Sequence, residues 1–519
     1  MKRLLWVFSV NCFFLLSVFS AEYNIKQFGA VSDTSLLCTK AIQDAIDKCS
    51  SDGGGKVVIP AGHYKTGTII LKSHVNLYLE QGAILWGSTN LKDYIKIKPD
   101  FVSLRTQDAT VQLIYAENAS NISISGHGII DGQGKVFKKL SMNDEGITRP
   151  HLLRFITCNY INVEGIFFRN SGCWMQHYLA CDYLMIRNVR VLNRNNYNND
   201  ALDLDGCRNV TVSDFVSDTD DDGITIKSTS LRVSENIVIS NCIVSSRCNG
   251  IKCGTESSGG FRNIAITNCV VKPSEIVAPP FYGQDGGIGG IALEIVDGGV
   301  MEGISVSNIV IDGTESPLFI RLAHRARPYK KDAVVNQVGS LNAVNIDNVR
   351  IKNSGKTGCS ISGIPGYPVR DIRLSNIVFE QAGGESTTNP EKKIEEKIKD
   401  YPESTMFGML PAYGFYIRHA SNITLEGIQL STAKPDVRPA IYLDDVQETT
   451  LNNLSFMAYG ADAGIHIRNS QGVVVKGSLL RGNARTFVYT DASSEKNVVL
   501  ANNLMEQKGR IVNIDNVKK

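Results

Sequence analysis

The sequence predicts an all-β fold: a right-handed parallel β-helix from about residue 21 to 519, one domain, with a short N-terminal helix capping its first coil. Three observations carry this. A unit of Asn or Asp followed by alternating apolar residues recurs as Asn121-Ile-Ser-Ile, Asn209-Val-Thr-Val, Asn236-Ile-Val-Ile, Asn263-Ile-Ala-Ile, Asp371-Ile-Arg-Leu, Asn422-Ile-Thr-Leu and Asn497-Val-Val-Leu. The starts at 209, 236 and 263 are 27 residues apart in both intervals, which fits a solenoid coil better than a propeller blade of ~40 residues. No Pro- or Ser-rich linker cuts the run, and the Leu-x-x-Leu-x-Leu pattern of a leucine-rich repeat is absent.

In chain order, Lys2 and Arg3 precede an apolar run from Leu4 to Phe19, with small residues before a cleavage point after Ser20. This reads as a secretory signal peptide over residues 1–20, and predicts a secreted or periplasmic protein. No other apolar run approaches the ~20 residues of a membrane span. An amphipathic helix is expected over Thr34 to Cys49, with Ile42, Ala45 and Ile46 on its buried face. Ser51-Asp52-Gly53-Gly54-Gly55 ends it, and Val57-Val58-Ile59 begins the strands. Such a helix would cover the open edge of the stack.

Composition excludes some partners. A net charge of +2 implies neither nucleic acid nor a membrane surface. Of twelve cysteines, Cys12 lies in the leader, and the rest form no Cys-x-x-Cys pair, so no metal site or cofactor is expected. Cys242, Cys253 and Cys269 sit at apolar strand positions, as small core residues do. The repeat is interrupted at Lys272–Gly290, Lys330–Leu341 and Gln381–Pro411. Such insertions tend to build the binding face of a solenoid. Within the last, Pro390 to Lys397 reads as a short solvated helix with i,i+4 charge pairs.

The chemistry concentrates between Asn198 and Ser228. Asp200, and then Asp221 with Asp222, each lead into alternating apolar residues, Leu202 and Leu204 and then Ile224 and Ile226. Period-two alternation predicts two strands whose apolar pairs face the core while Asp203, Asp205, Thr225 and Lys227 face out. The 22-residue offset from Leu202 to Ile224 sets Asp200 beside Asp222, on neighbouring strands ~4.8 Å apart. Crowded carboxyls hold a proton toward neutral pH, and a proton donor beside a carboxylate base is what glycoside cleavage needs. Adjacent Asp221 and Asp222 reach one cleft only from a turn or bulge, which Asp220 and Gly223 suit.

Arg149-Pro150, Ser171-Gly172-Cys173-Trp174, Asn198-Asn199-Asp200 and Asp218-Thr219-Asp220-Asp221-Asp222, with Gly126-His127-Gly128-Ile129-Ile130-Asp131-Gly132 before them, resemble the polygalacturonase family, glycoside hydrolase family 28. The resemblance covers most of the mature chain, as a divergent bacterial-type member. It implies a β-helical, inverting hydrolase of a pectin-type acidic polysaccharide, galacturonan or rhamnogalacturonan. It makes Asp221 the general acid, with Asp200 and Asp222 holding the attacking water. Asn198 opens the family's Asn-Thr-Asp motif, and Asn199 replaces its Thr.

Two departures bear on substrate. The family's Gly-His-Gly falls on Cys248-Asn249-Gly250, so Asn249 stands for His, while His127 belongs to an earlier coil and reads as structural. The family's Arg-Ile-Lys clamp falls near Ala292-Leu293-Glu294 and is missing. With Ile251, Ile320, Ile417 and Ile467 taken as one inward row, Lys252, Arg321, Arg418 and His466 line the outward face above Lys227. Arg321, Arg325, Arg418 and Lys252 are then the expected replacement cations, since Arg grips carboxylates bidentately. Trp174 and His177 are expected to offer a sugar-stacking platform. Loops walling the groove predict exo-action. Pectate-lyase-type elimination and a non-catalytic glycan-binding β-helix are the competing readings.

Overall fold

The computed structural model describes residues 21–140, 145–276, 279–280, 283–284, 286–387, 393–507 and 509–515. The expected leader, residues 1–20, lies outside them. Strands dominate, and each coil supplies three. Leu202–Asp205 pairs in parallel with Ile224–Ser228, Arg208–Ser213 with Ser234–Ser240, and Val216–Thr219 with Ile243–Ser246. The exception to parallel ladders among the named strands is Lys96–Ile97 against Val111 and Thr110. This is the right-handed parallel β-helix that the repeat predicts.

Alternation places one side chain in two inside the coil. Phe155, Tyr178, Leu204, Ile226, Cys253, Leu293, Ile320, Ile361, Ile417, Leu443 and Ile467 form one continuous inward row by pairwise register. All are buried in one apolar core that extends from Ile25 to Val488. Ile251 pairs with Ile224 and Ile291 instead, so the expected row that joined it to Ile320 is corrected by two residues. An even shift leaves the facing unchanged. Lys252 therefore shares an outward row with Phe319 and His466, and Arg321 one with Glu294, Ser362 and Arg418.

The repeated Asn turns the same corner in successive coils, and Tyr160 and Tyr183 hold it in the two coils before them. Asn209, Asn236 and Asn263 hold φ of 57°, 58° and 53°, left-handed values that Asn tolerates better than most residues. Each amide donates to the one below, Asn236 to Asn209 at 3.2 Å and Asn263 to Asn236 at 3.1 Å.

The capping helix spans Thr39–Ser51 and buries Ala41, Ile42, Ala45, Ile46 and Cys49. It starts later than the expected Thr34 because Leu37 bridges Lys65 and the Cys38 N–H donates to the Lys65 carbonyl at 2.8 Å. Ahead of it, the Leu36 N–H donates to the Asp33 carbonyl at 3.2 Å, so Thr34 and Ser35 form a turn rather than the first helical residues. Cys242, Cys253 and Cys269 are buried, as expected, and the eleven cysteines from Cys38 to Cys359 carry free thiols. The expected helix at Pro390–Lys397 falls partly outside the described residues, and no helix forms at 393–397. Ile394 instead packs with Leu410, Tyr416 and Tyr442, and Glu396 pairs with Arg418 and His419. Those long-range contacts replace the local charge pairs. Among the described residues no helix is long and apolar enough to cross a membrane.

Candidate active site

The register Leu202↔Ile224 holds as the spacing predicts, and Asp222 accepts the Ala201 N–H on its carbonyl at 3.1 Å. Asp220–Gly223 form the expected turn between Val216–Thr219 and Ile224–Ser228. Thr219 and Ser246 hydroxyls both donate to the Asp221 carbonyl, at 2.8 and 2.7 Å, and pin it. Gly223 is required by space, since a Cβ there would lie 2.4 Å from the Gly250 carbonyl oxygen. The turn thus presents both carboxyls to one side of the sheet.

Each carboxyl has its own amide partner. The Asn198 amide donates to Asp221 at 3.4 Å, while its oxygen accepts from Arg149 and Lys139 at 3.0 and 3.2 Å. Asn249 donates to Asp222 twice, from its backbone at 3.0 Å and its side chain at 2.9 Å. Asn199 is turned inward and donates to the Ser171 and Cys173 carbonyls, so it shapes the loop.

The outward face is not solvated. Asp203, Asp205, Thr225 and Lys227 are all buried, which corrects the expected solvent-facing polar pairs. The reason is a roof. The Leu104 N–H donates to the Thr229 carbonyl, Arg105 pairs with Glu145 and Glu256, and the Ser404 hydroxyl donates to Asn249 at 3.1 Å.

Under that roof the carboxyls split. Burial, then the Asp222 and Asp220 charges, push Asp221 up to about 7. Burial opposes ionisation of Asp222 too, but the ammoniums of Lys252 and Lys227 outweigh it and hold Asp222 below the ordinary carboxylate range. The Lys252 Nζ lies 3.4 Å from Asp222. Asp200 is pushed well above its ordinary value by burial and by Asp203 and Asp221. Lys227 sits 3.8 Å from Asp200, 3.4 Å from Asp203 and 3.8 Å from Glu256. Asp221, Asp222 and Cys248 have potential ligand atoms within 4.8 Å of one another. Burial and the Glu403 charge raise the Cys248 thiol well above its usual value.

The scan against protein-family models matches glycosyl hydrolases family 28 over residues 49–398 and a right-handed β-helix region over 329–505. The chain belongs to family 28. Its relatives include a "Probable polygalacturonase" of Vitis vinifera, 31% identical over 215 residues, 40% of this chain and 44% of that protein. The exo-poly-alpha-D-galacturonosidase of Dickeya chrysanthemi is 36% identical over 159 residues, 28% of this chain and 25% of that protein. The matches thus span less than half the length of these relatives. The family 28 exopolygalacturonase structure of Yersinia enterocolitica shares the fold, with a TM-score of 0.64 over 84% of this chain and 78% of that one, at 19% identity.

Within this family 28 site, several residues expected to meet substrate are committed to the protein. Arg321 is buried, with Nη1 donating to Ser362 and the Gly363 carbonyl at 3.2 and 2.9 Å and Nη2 to the Glu396 carbonyl at 2.5 Å. Arg325 is paired with Asp297, and Arg418 with Glu396 and Asp444. Trp174 is 3% exposed, with Arg105 and Lys227 each 4.7 Å over its ring. His177 is buried 3.2 Å from Asp205, and burial brings it down to about 4, so it is neutral. All five therefore have partners within the protein, supplied by roofing loops that no local motif announces, and Arg418 also lines a cavity of about 470 Å³. Lys252 and Lys227 stay beside the carboxyls.

Sequence reasoning missed others. Tyr401, 50% exposed, lies with its ring over Lys252 and its hydroxyl 3.4 Å from Nζ. Buried Glu294 has both carboxyl oxygens unpartnered among the described residues, and burial raises it to about 8. Asp203 lay in plain view inside the acidic stretch, whereas Glu256, Tyr401 and Glu403 belong to no recognisable pattern.

Proposed function

We propose that this family 28 chain is a secreted, inverting, exo-acting hydrolase of a galacturonan-type polysaccharide. The observation that carries the reading is the opposed protonation of Asp221 and Asp222 at one turn. Asp221 gives its proton to the glycosidic oxygen as the C1–O bond breaks. Asp222 takes a proton from the water that forms the new C1–O bond, so the sugar leaves as a hemiacetal of opposite anomeric configuration. Burial and the neighbouring carboxyls favour the protonated form of Asp200, which suits it to orient that water by hydrogen bonding rather than to serve as a second base. Asn198 and Asn249 position the two working carboxyls.

Exo-action rests on enclosure. Asp200 and Asp222 are 3% and 4% exposed beneath loops from three parts of the chain, and loops that wall a site favour the end of a chain over its middle. The similarity to an exo-poly-alpha-D-galacturonosidase agrees with this. Secretion rests on the leader-like residues 1–20.

The test is a panel of galacturonan, methyl-esterified pectin, rhamnogalacturonan and neutral galactan, with products resolved by chromatography and the first anomer read by NMR. Monomer or short oligomer from galacturonan, with inverted configuration, is the expected result. Unsaturated ends, a retained anomer, or a fast fall in viscosity with few reducing ends would each overturn part of it.

A further inference from the structure

A cavity lies near the carboxyl cluster, and the mechanism above leaves it unused. It encloses about 350 Å³ between the loop that carries Leu104, Arg105 and Gln107 and the loop that carries Arg327, Lys330 and Lys331, with Asp108 and Glu145 also in its lining, Glu145 being paired with Arg105. That volume falls at the small end of ligand pockets, ~300–1,000 Å³. Arg105 joins it to the catalytic centre: its guanidinium pairs with Glu256 at 2.6 Å, Glu256 lies 3.8 Å from Lys227, and Lys227 lies 3.8 Å from Asp200. One carboxylate and one ammonium therefore separate the cavity from the reacting groups.

Its cations are unequally used. Arg105 is paired through Nη1 with Glu145 and through Nη2 with Glu256. Arg327 reaches only Glu256, at 3.6 Å, with its side chain 39% exposed, and its backbone N–H, not its guanidinium, meets Asp297. Among the described residues Lys330 and Lys331 have no carboxylate partner, and Lys330 is half-buried. Burial and the adjacent Arg105 lower the Arg327 pKa, the mark of a positive charge left partly uncompensated. The loop bearing these cations belongs to an insertion that interrupts the repeat and supplies no coil strand before Ser340–Leu341. Meanwhile Arg321, Arg325 and Arg418 are already paired within the protein.

We propose that this cavity is an anion subsite in which Arg327 and Lys330 bind the carboxylate of a uronate unit neighbouring the one cleaved at Asp221. The proposal rests on the galacturonan reading given above and assigns its substrate specificity to this loop. A guanidinium beside an ammonium matches a planar carboxylate and rejects a neutral hydroxymethyl group at the same ring position.

The test is calorimetric titration of Asp221→Asn protein, and of the same protein carrying Arg327→Ala and Lys330→Ala, with α-1,4-trigalacturonate and with neutral α-1,4-galactotriose. Trigalacturonate should bind the Arg327→Ala/Lys330→Ala form at least about tenfold more weakly, in line with a lost charge-assisted contact, and with a shallower salt dependence. Galactotriose should bind both forms equally. Equal trigalacturonate affinity in both forms, with turnover of galacturonan by the unaltered enzyme intact, overturns the subsite alone. Absence of both trigalacturonate binding and galacturonan turnover overturns the substrate reading and the subsite with it. Matching urea-unfolding curves for the two forms establish that a loss is not a folding defect.

Discussion

The Asn corner and the roofed catalytic face are built on the same coils and obey different rules. At the corner, Asn209, Asn236 and Asn263 each solve a local problem, a left-handed turn, with the same residue and the same hydrogen bond. On the catalytic face, residues in matching register do unlike things: Asp203, Thr225, Lys252 and Ala292 succeed one another in a single row. The corner is exposed and each coil there is held by the same residue of the next coil. The face is buried, and its charges are fixed by loops distant in sequence, such as Arg105 on Glu256 and Ser404 on Asn249. Repetition makes the scaffold; departure from repetition makes the site.

The hardest blow to that contrast is Asp221→Asn. It preserves shape and removes the proton donor, so kcat should fall by about 10⁴-fold, the upper end for general acid catalysis, with the unfolding midpoint unchanged. Asp222→Asn should cost about 10²–10⁴-fold by loss of the base. Asp200→Asn should cost less than Asp222→Asn, because burial and the Asp203 charge favour the protonated form of Asp200. Equal losses at Asp200 and Asp222 would return Asp200 to the role of a base. Steady-state rates on the preferred polysaccharide decide both.

Arg321→Ala separates scaffolding from recognition. Its guanidinium ties two coil-bound acceptors to the carbonyls of the 393–411 loop. Its loss should destabilise the fold by about 2–3 kcal/mol, the worth of charge-assisted hydrogen bonds, read by urea unfolding. KM for polysaccharide should move less than it does for Arg327→Ala. A change in KM with full stability would make Arg321 a ligand after all.

The pH profile tests the split within the site. Asp221 must be protonated and Asp222 ionised. With Asp221 near 7, kcat/KM should fall about tenfold per pH unit above that value, as the donor is lost. The acid limb should lie below the ordinary carboxylate range of about 4, because Lys252 and Lys227 keep Asp222 charged. A basic limb near pH 5 would mean that the roof fails to desolvate the turn.

These contrasts also explain what the sequence revealed. The 22-residue offset and the 27-residue Asn period are periodic facts, and the registers Leu202↔Ile224 and Val210↔Ile237 follow them. The turn at Asp220–Gly223 was legible because Gly and Asp have local backbone preferences. The partners of Arg321, Arg418 and Trp174 were not, because alternation says which face a side chain takes and nothing about which loop returns to cover it. The helix expected at Pro390–Lys397 failed for the same reason: Glu396 found Arg418 and His419, not a lysine one turn away.

The mildest test asks what holds the corner. Asn236 is exposed at φ 58°, donates to Asn209 and accepts from Asn263. Asn236→Ala removes both bonds and places a residue without Asn's local hydrogen-bonding in left-handed backbone, where L-residues lose roughly 1–2 kcal/mol. Asn236→Gly removes the same bonds but relieves the backbone. If conformation dominates, Ala should destabilise by about 1 kcal/mol and Gly by clearly less, since exposed hydrogen bonds contribute only ~0.5–1.5 kcal/mol net. Equal losses would show that the amide ladder, not the left-handed turn, holds the corner. Both variants should keep full kcat, because Asn236 sits at the start of the paired core residues Ile237 and Ile239, on the corner away from the carboxyl turn. A fall in activity at this position would mean that coil geometry is transmitted to the catalytic face, and that the two regions are not independent.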